Sequence, residues 1–304
     1  MADNHKDLDT TGHQWDDDEG FPLQEYNNPL PKWWLNSFYA TIIWAVVYWV
    51  LYPAWPLPDG FTPGTLGETM RGEYQKEMDE AKARQKVFND KLEKLSLKDI
   101  SKDNQLLQFS ISGGKALFGD NCAPCHGPAG IGVKAGGFPT LADDDWLFGG
   151  DLDTIHESIT SGRTGQMPAH LKAAGGNFSD SQVDDLTAYV LSLSGKSSDK
   201  AAITRGDALF HGEATCNSCH GDKGNGSLKG TVAGQPLPQI GAPNLTDAIW
   251  LYGGDPKVVR ESIAKGRSGE MPAWGAGAKE SGRKLSELDI KKLTIYVHSL
   301  GGGQ

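Results

Sequence analysis

Gly114–His126 reads GKALFGDNCAPCH, and Arg205–His220 reads RGDALFHGEATCNSCH. The resemblance between them runs outward in both directions. Trp146–Met167 (WLFGGDLDTIHESITSGRTGQM) matches Trp250–Met271 (WLYGGDPKVVRESIAKGRSGEM), and Leu186–Val190 (LTAYV) matches Leu293–Val297 (LTIYV). The chain from about residue 110 onward is therefore an internal repeat of two small units. Their first cysteines are 94 residues apart, whereas the tryptophans and methionines are 104 apart. The second copy thus carries extra residues between His220 and Trp250. The Gly- and Pro-rich stretch SLKGTVAGQPLPQIGAPN (227–244) is predicted to be that insertion, as a surface loop. A Ser/Gly/Lys linker near Ser194–Lys200 separates the copies, each long enough for a compact domain.

Cys122, Cys125, Cys216 and Cys219 are the four cysteines of the chain, and each pair is followed directly by histidine. C-x-x-C-H is the pattern of covalent haem attachment. On a helix, positions i and i+3 share a face, so both sulfurs reach one porphyrin edge, and the histidine at i+4 points at the iron. Zinc also takes Cys and His, but its C-x-x-C pairs lie closer together in sequence than these do. A thioredoxin-like redox pair calls for a βαβ pattern that is not seen here. His126 and His220 are thus candidate axial ligands of two covalently bound haems c.

Of the five methionines, Met167 and Met271 alone recur at equivalent places, in GRTGQMPA and GRSGEMPA. His with Met is the electron-transfer ligand set and raises the potential relative to two histidines. Pro168 and Pro272 restrict the following turn, which presents each sulfur on a rigid loop. A methionine is ordinarily a packing residue, but two in one repeated Gly-rich loop point to ligation. Spacing alone allows each repeat to supply its own methionine. His5, His13, His156, His170, His211 and His298 recur in neither copy and are read as surface or packing residues. Trp146 and Trp250 are expected to pack on haem or core. Arg163 and Arg267 are either propionate partners or exposed loop residues. Tyr189 and Tyr296, on the last helix of each copy, are expected to face the first helix.

Upstream, residues 35–52 (LNSFYATIIWAVVYWVLY) carry no charge, and eighteen helical residues span about 27 Å, close to a bilayer core. Trp33 and Trp34 stand before this run, with Trp49, Tyr52 and Trp55 at its far end, as in interfacial aromatic belts. The preceding segment is long and acidic and no small-residue cleavage site follows, so the run reads as an uncleaved anchor rather than a signal peptide. Residues 1–31 hold six Asp and two Glu and read as a largely extended, solvated tail. Residues 59–105 are charged and helix-favouring with few apolar positions, a spacer or a helix docked on something else. A net charge of −10 argues against nucleic acid, which requires clustered Lys and Arg. Haem c is attached outside the cytoplasm, so residues 59–304 are expected on the periplasmic side with the N-terminus inside.

TGHQWDD, NNPLPKWW before the apolar run, YPAWP after it and the tandem C-x-x-C-H repeats together resemble the dihaem cytochrome c subunit (subunit III) of cbb3-type cytochrome c oxidases, the C-family haem-copper oxidases. NNPLPKWW with YPAWP is the most specific part. The resemblance implies covalent links at Cys122, Cys125, Cys216 and Cys219 and axial ligands His126, His220, Met167 and Met271. It also implies that the two domains exchange methionines. The function implied is electron transfer in aerobic respiration, from a soluble or membrane-bound cytochrome c donor to the complex. Its implied partners are a monohaem cytochrome c subunit and the catalytic haem-copper subunit, in the bacterial inner membrane. On that reading the chain is a non-catalytic subunit of an oxidoreductase.

The expected fold is mostly α. It has a cytoplasmic tail (1–34), a single transmembrane anchor (35–55), a helical spacer (56–108) and two cytochrome c domains (109–196 and 201–304). Two other functions are weighed against this one. A dihaem peroxidase would need one iron with a displaceable sixth ligand, which two equivalent MPA loops argue against. An anchored dihaem cytochrome serving another respiratory complex would share the haem sites but not NNPLPKWW and YPAWP.

Overall fold

A computed structural model describes residues 9–15, 23–276 and 284–301, in two units, Met1–Arg84 and Gln85–Gln304. Asp16 and Asp17 of the TGHQWDD motif, and most of the acidic tail around it, lie outside the described residues. What is described of the tail is a hairpin. β1 (Thr10–Gln14) runs antiparallel to β2 (Gln24–Tyr26). Neither strand alternates apolar with polar residues, so the pattern that flags strands is missing. Polar side chains bind the ladder instead: Thr10 Oγ1 donates to Gln24 Oε1 at 2.9 Å, and Asn27 Nδ2 donates to the Asp9 carboxylate at 3.3 Å.

α1 (Lys32–Leu51) starts directly after Pro31 and stops before Pro53. It begins three residues ahead of the uncharged run, because a lysine and two tryptophans are compatible with a first helical turn. Its 20 residues span about 30 Å; none is buried, and the helix is long and apolar enough to cross a membrane. Rings stack along it, Trp34 on Phe38 at 5.6 Å and Tyr48 on Tyr52 at 4.8 Å, and Trp49 meets Trp55 edge-on at 4.8 Å. Beyond it, β3 (Pro56–Leu57) and β4 (Gly60–Phe61) form a second hairpin. The chain then turns back, and the N–H groups of Thr65 and Leu66 donate to the carbonyls of Val50 and Leu51 at 2.9 and 3.1 Å. Carbonyls of a last helical turn have no partner within the helix, and in a bilayer water cannot supply one. The expected helical spacer thus opens with a hairpin and loop, and helix begins only with α2 (Met70–Lys94).

The second unit is helical, with caps where the sequence supplies them. α3 (Leu97–Lys102) and α4 (Asn104–Asn121) start on Ser96 and Asp103, whose side chains accept from backbone N–H groups. The single-turn α5 (Ala123–His126) follows, then α6 (Leu152–Ser161), β5 (Arg163–Met167) and α7 (Asp180–Leu193). Ser179 and Gln182 close a reciprocal capping box on α7. The second repeat gives α8 (Lys200–His211), α9 (Asn217–His220), α10 (Gly226–Lys229), β6 (Thr231–Val232), β7 (Gln235–Pro236), α11 (Pro256–Lys265), β8 (Arg267–Met271) and α12 (Glu287–His298). Most of α10 and all of β6 and β7 lie in the extra residues, so the expected surface loop has its own small hairpin. Asp222 anchors it, accepting from Ala233 N–H at 3.0 Å and Asn217 Nδ2 at 2.9 Å.

The two copies are not packed as two separate globules. α12 crosses α4, and α7 crosses α8. Each last helix therefore lies on the first helix of the other repeat. Tyr296 meets Phe118 with ring centroids 5.3 Å apart, and Tyr189 meets Phe210 at 5.1 Å. The tyrosines face a first helix as expected, but across the repeats. One core gathers Phe118, Ile155, Ile159, Leu293, Tyr296 and Val297; the other gathers Val183, Leu186, Tyr189, Phe210, Val259 and Ile263. Both crossings rest on glycine. A Cβ at Gly114 would overlap the Lys292 carbonyl, and one at Gly206 would overlap the Asp185 carbonyl. At one crossing Arg205 grips Asp185 with two bonds, Nε to Oδ2 at 2.8 Å and Nη2 to Oδ1 at 2.7 Å. At the other, the Lys292 stem lies over Gly113, with its ammonium 5.3 Å from the Phe109 ring centre.

A third core, with no counterpart in the second repeat among the described residues, buries Leu92 of α2 with Leu97, Ile100, Leu106, Leu152 and Ile295. Lys291 donates to the carbonyls of Leu92, Glu93 and Leu95 at 3.0–3.3 Å. The end of the charged helix is thus docked and capped on the haem-motif unit.

Replacing Gly206 by alanine should force α7 and α8 apart at a cost of about 1–3 kcal/mol. Gly119, in α4, has no atom within 4 Å of where a Cβ would sit, and Gly119→Ala should stabilise by up to about 1 kcal/mol through helix propensity. Thermal unfolding of the two variants should therefore shift in opposite directions, by about 2–4 °C per kcal/mol.

Candidate haem sites

Each C-x-x-C-H motif folds as one helical turn closed by a glycine. Cys125 and His126 N–H groups donate back to the Cys122 carbonyl at 3.1 and 2.9 Å, and Cys219 and His220 to the Cys216 carbonyl at 3.2 and 2.9 Å. Gly127 and Gly221 follow at φ 74° and 81°. The four thiols are not joined as disulfides. Burial pushes the thiols of Cys122 and Cys216 up to about 11, whereas reactive redox cysteines are depressed and attack as thiolates. Raised thiols of this kind do not behave as redox nucleophiles.

The two histidines share one hydrogen-bonding arrangement. His126 Nδ1 lies 3.1 Å from the Pro139 carbonyl, and His220 Nδ1 lies 3.0 Å from the Pro243 carbonyl. A carbonyl only accepts, so Nδ1 carries the proton and Nε2 presents its lone pair, the arrangement of metal-bound imidazole. Burial lowers both imidazoles from their ordinary value, which keeps them neutral at pH 7. The ten extra residues of the second repeat fall between His220 and Pro243, and the β6–β7 hairpin absorbs them without disturbing this bond.

Met167 and Met271 lie at opposite ends of one antiparallel ladder. β5 pairs with β8 in the register Arg163–Met271, Thr164–Glu270, Gly165–Gly269, Gln166–Ser268 and Met167–Arg267. The four steps between the methionines correspond to about 14 Å along the strands. Met271 packs on the core that holds Cys122, Ala123 and Trp146, and Met167 on the core that holds Cys216 and Trp250. Each methionine therefore sits with the cysteine of the other repeat. Arg163 and Arg267 are neither free nor ion-paired with any carboxylate among the described residues. Arg163 Nε donates to Ser158 Oγ at 2.8 Å with its guanidinium 4.9 Å from the Phe148 ring centre; Arg267 donates to Ser262 Oγ at 2.9 Å and lies 4.4 Å from that of Tyr252.

These residues fit haem c. Each site offers two thiols on one helical turn, a neutral imidazole with Nε2 bare, a thioether, and an arginine with no internal anion. At the second site the buried Trp250 Nε1 has no acceptor among the described residues, a donor suited to a carboxylate.

Residues 8–59 match the family described as the N-terminal domain of cytochrome oxidase-cbb3, FixP. Residues 111–194 match cytochrome c, and residues 201–297 match cytochrome c oxidase, cbb3-type, subunit III. The cbb3-type cytochrome c oxidase subunit CcoP of Azospirillum sp. (strain B510) is 43% identical over the whole of both chains. This chain belongs to the CcoP/FixP family. The FixP subunit of Azorhizobium caulinodans is 45% identical, over 97% of this chain and 94% of its own. The CcoP subunit of Cereibacter sphaeroides is 40% identical, over 97% and 95%. The match to the N-terminal domain covers the stretch with NNPLPKWW and YPAWP, on which the resemblance rested.

Within this family frame the two sites of the chain are unequal. Trp274 follows Met271 in MPAW and packs on the first core, whereas His170 stands at that place in MPAH. His170 is half-buried against Phe178 at 5.9 Å and near enough to His220 that a charge on either disfavours one on the other. His170 has no counterpart in the second repeat, and that mismatch is the signal the sequence carries. His156 pairs with Glu287 at 2.9 Å, and His211 bonds the Asp222 carbonyl through Nε2 at 2.8 Å.

Carboxylates from both repeats interact at Asp143, Asp145 and Asp247. Burial, then Asp247 and Asp143, push Asp145 from its ordinary 3.8 up to about 6, with Lys229 opposing. The folded state therefore disfavours ionised Asp145. Stability should fall as pH rises from about 4 to about 6, by about 1 kcal/mol once solvent screening of this half-exposed group is allowed for. Asp145→Asn should flatten that part of the pH–stability profile and raise the melting temperature at pH 7 but not at pH 4, measured by thermal unfolding.

Proposed function

We propose that this chain is the membrane-anchored electron-transfer subunit of a cbb3-type oxidase, carrying two haems c whose methionine ligands are exchanged between the repeats. Cys122 and Cys125 would tether one haem, with His126 and Met271 as its iron ligands. Cys216 and Cys219 would tether the other, held by His220 and Met167. The single observation that carries this pairing is the β5–β8 ladder, which delivers each methionine to the core containing the other repeat's cysteine.

Bound haem iron supplies reversible one-electron exchange. The chain does the rest. Cysteines fix each porphyrin edge, and the Pro139 and Pro243 carbonyls orient the imidazoles. The thioethers favour the reduced state relative to a second imidazole. Arg163 and Arg267 offer charge to propionates, and the cores exclude water. No residue need move a proton, and with His and Met on each iron there would be no open position for peroxide, which argues against a peroxidase.

α1 supports a single-pass anchor in the inner membrane, with residues 59–304 periplasmic because haem c is attached there. Family membership supports association with the monohaem and the catalytic haem-copper subunits, and entry of electrons from a soluble or membrane-bound cytochrome c. The net charge of −10 suits a basic donor.

A chain with Cys122 and Cys125 both replaced by alanine should retain one haem. In that background Met167→His should lower the remaining potential and abolish the near-infrared thioether-to-iron charge-transfer band, while Met271→His leaves both in place. The opposite pattern, read by potentiometry and absorption, would return each methionine to its own repeat.

A further inference from the structure

Gly165 and Gly269 face each other at the middle of the methionine ladder. Neither has a positive φ, and a Cβ on either would meet no atom within 4 Å. Neither the backbone conformation nor the packing of this chain therefore calls for glycine. Glycine in a strand interior weakens the strand, and a β-branched residue would favour it. Yet both repeats place glycine there, in GRTGQM and GRSGEM. Such a residue marks a place where something other than the chain's own side chains comes close to the backbone.

The face of the ladder says what that is. Side chains alternate along a strand, and directly opposed residues share a face. Arg163, Gly165 and Met167 thus share one face with Arg267, Gly269 and Met271. The opposite face carries Thr164, Gln166, Ser268 and Glu270, all exposed. On the first face each methionine is two residues, about 7 Å along the strand, from the glycine pair. Each methionine is also directly opposed to an arginine that pairs with no carboxylate among the described residues. The bare stretch therefore lies midway between the two candidate iron sites, on their own side.

We infer that the glycine pair keeps the ladder clear so that the two haems face each other across bare backbone, and that Gly165 and Gly269 are positioning residues for electron transfer between them. The step served is a one-electron exchange in which one iron is oxidised as the other is reduced, with no bond made or broken and no proton moved. The inference rests on ligation by Met167 and Met271.

The test uses the full two-haem chain in detergent. Gly165→Val and Gly269→Val, singly and together, are compared with Thr164→Val and Ser268→Val on the opposite face. The double glycine variant should slow equilibration of an electron between the haems several-fold after pulsed reduction. It should also change the separation of the two midpoint potentials, with both thioether-to-iron bands retained and the opposite-face pair unchanged. If valine removes a band, the Gly165→Ala and Gly269→Ala pair is read in its place for the same slowing. Unchanged equilibration and potentials would overturn the inference. That includes the case in which only turnover with the assembled oxidase falls, which would assign the glycines to a partner's surface. Absence of both bands from the unsubstituted protein would instead remove the ligand assignment beneath it.

Discussion

Five residues of antiparallel backbone, Arg163–Met167 against Arg267–Met271, bind the two repeats together, and the destination of each thioether follows from their register. Side chains in a ladder alternate with period two, so a slip of one residue would turn both methionines away from the cores they enter. The strands are short and half-exposed and could not hold that register alone. They are held from both ends. The N–H groups of Trp274 and Gly275 donate to the carbonyls of Ile159 and Thr160, and those of His170 and Leu171 donate to Ile263 and Ala264, at 2.9–3.1 Å. Each strand is thereby stitched to the helix that precedes its partner.

The helix crossings reinforce the same exchange. Phe118 with Tyr296 and Phe210 with Tyr189 bury large aromatic surface between helices of different repeats, and such burial is the dominant favourable contribution to folding. Gly114 and Gly206 let those helices approach until backbone meets backbone. The loops repeat the reciprocity. The Tyr252 ring of the second repeat lies against Gly137 of the first, and the Phe148 ring of the first against Gly241 of the second.

Much of the chemistry was legible in residue identity. The candidate cysteines and histidines stand out because C-x-x-C-H is a short, fixed spacing, and the candidate methionines because they recur in GRTGQMPA and GRSGEMPA. The anchor was readable because a bilayer imposes length and lack of charge together. Which helix packs on which was harder. LTAYV and LTIYV are nearly the same word, and 3.6-residue periodicity gives both helices the same apolar face, so pattern alone cannot choose the partner. The hairpin of Thr10–Gln14 with Gln24–Tyr26 escaped because polar side chains bind it rather than a buried face. The sequence left docking of α2 only as an alternative to a solvated spacer, because one buried leucine, Leu92, and one lysine from 199 residues away, Lys291, supply it.

Asp185 and Lys292 occupy equivalent places on α7 and α12, four residues before the paired tyrosines, and Arg205 and Gly113 are equivalent on the first helices. As folded, Asp185 meets Arg205, and Lys292 lies over a glycine. Were each repeat to close upon itself, Lys292 would confront Arg205, and Asp185 would face Gly113 with no cation opposite. Two internal duplicates with nearly the same core can thus tell self from sibling by a single pair of charges. The polypeptide is packed crosswise, and neither half completes its own core without the other.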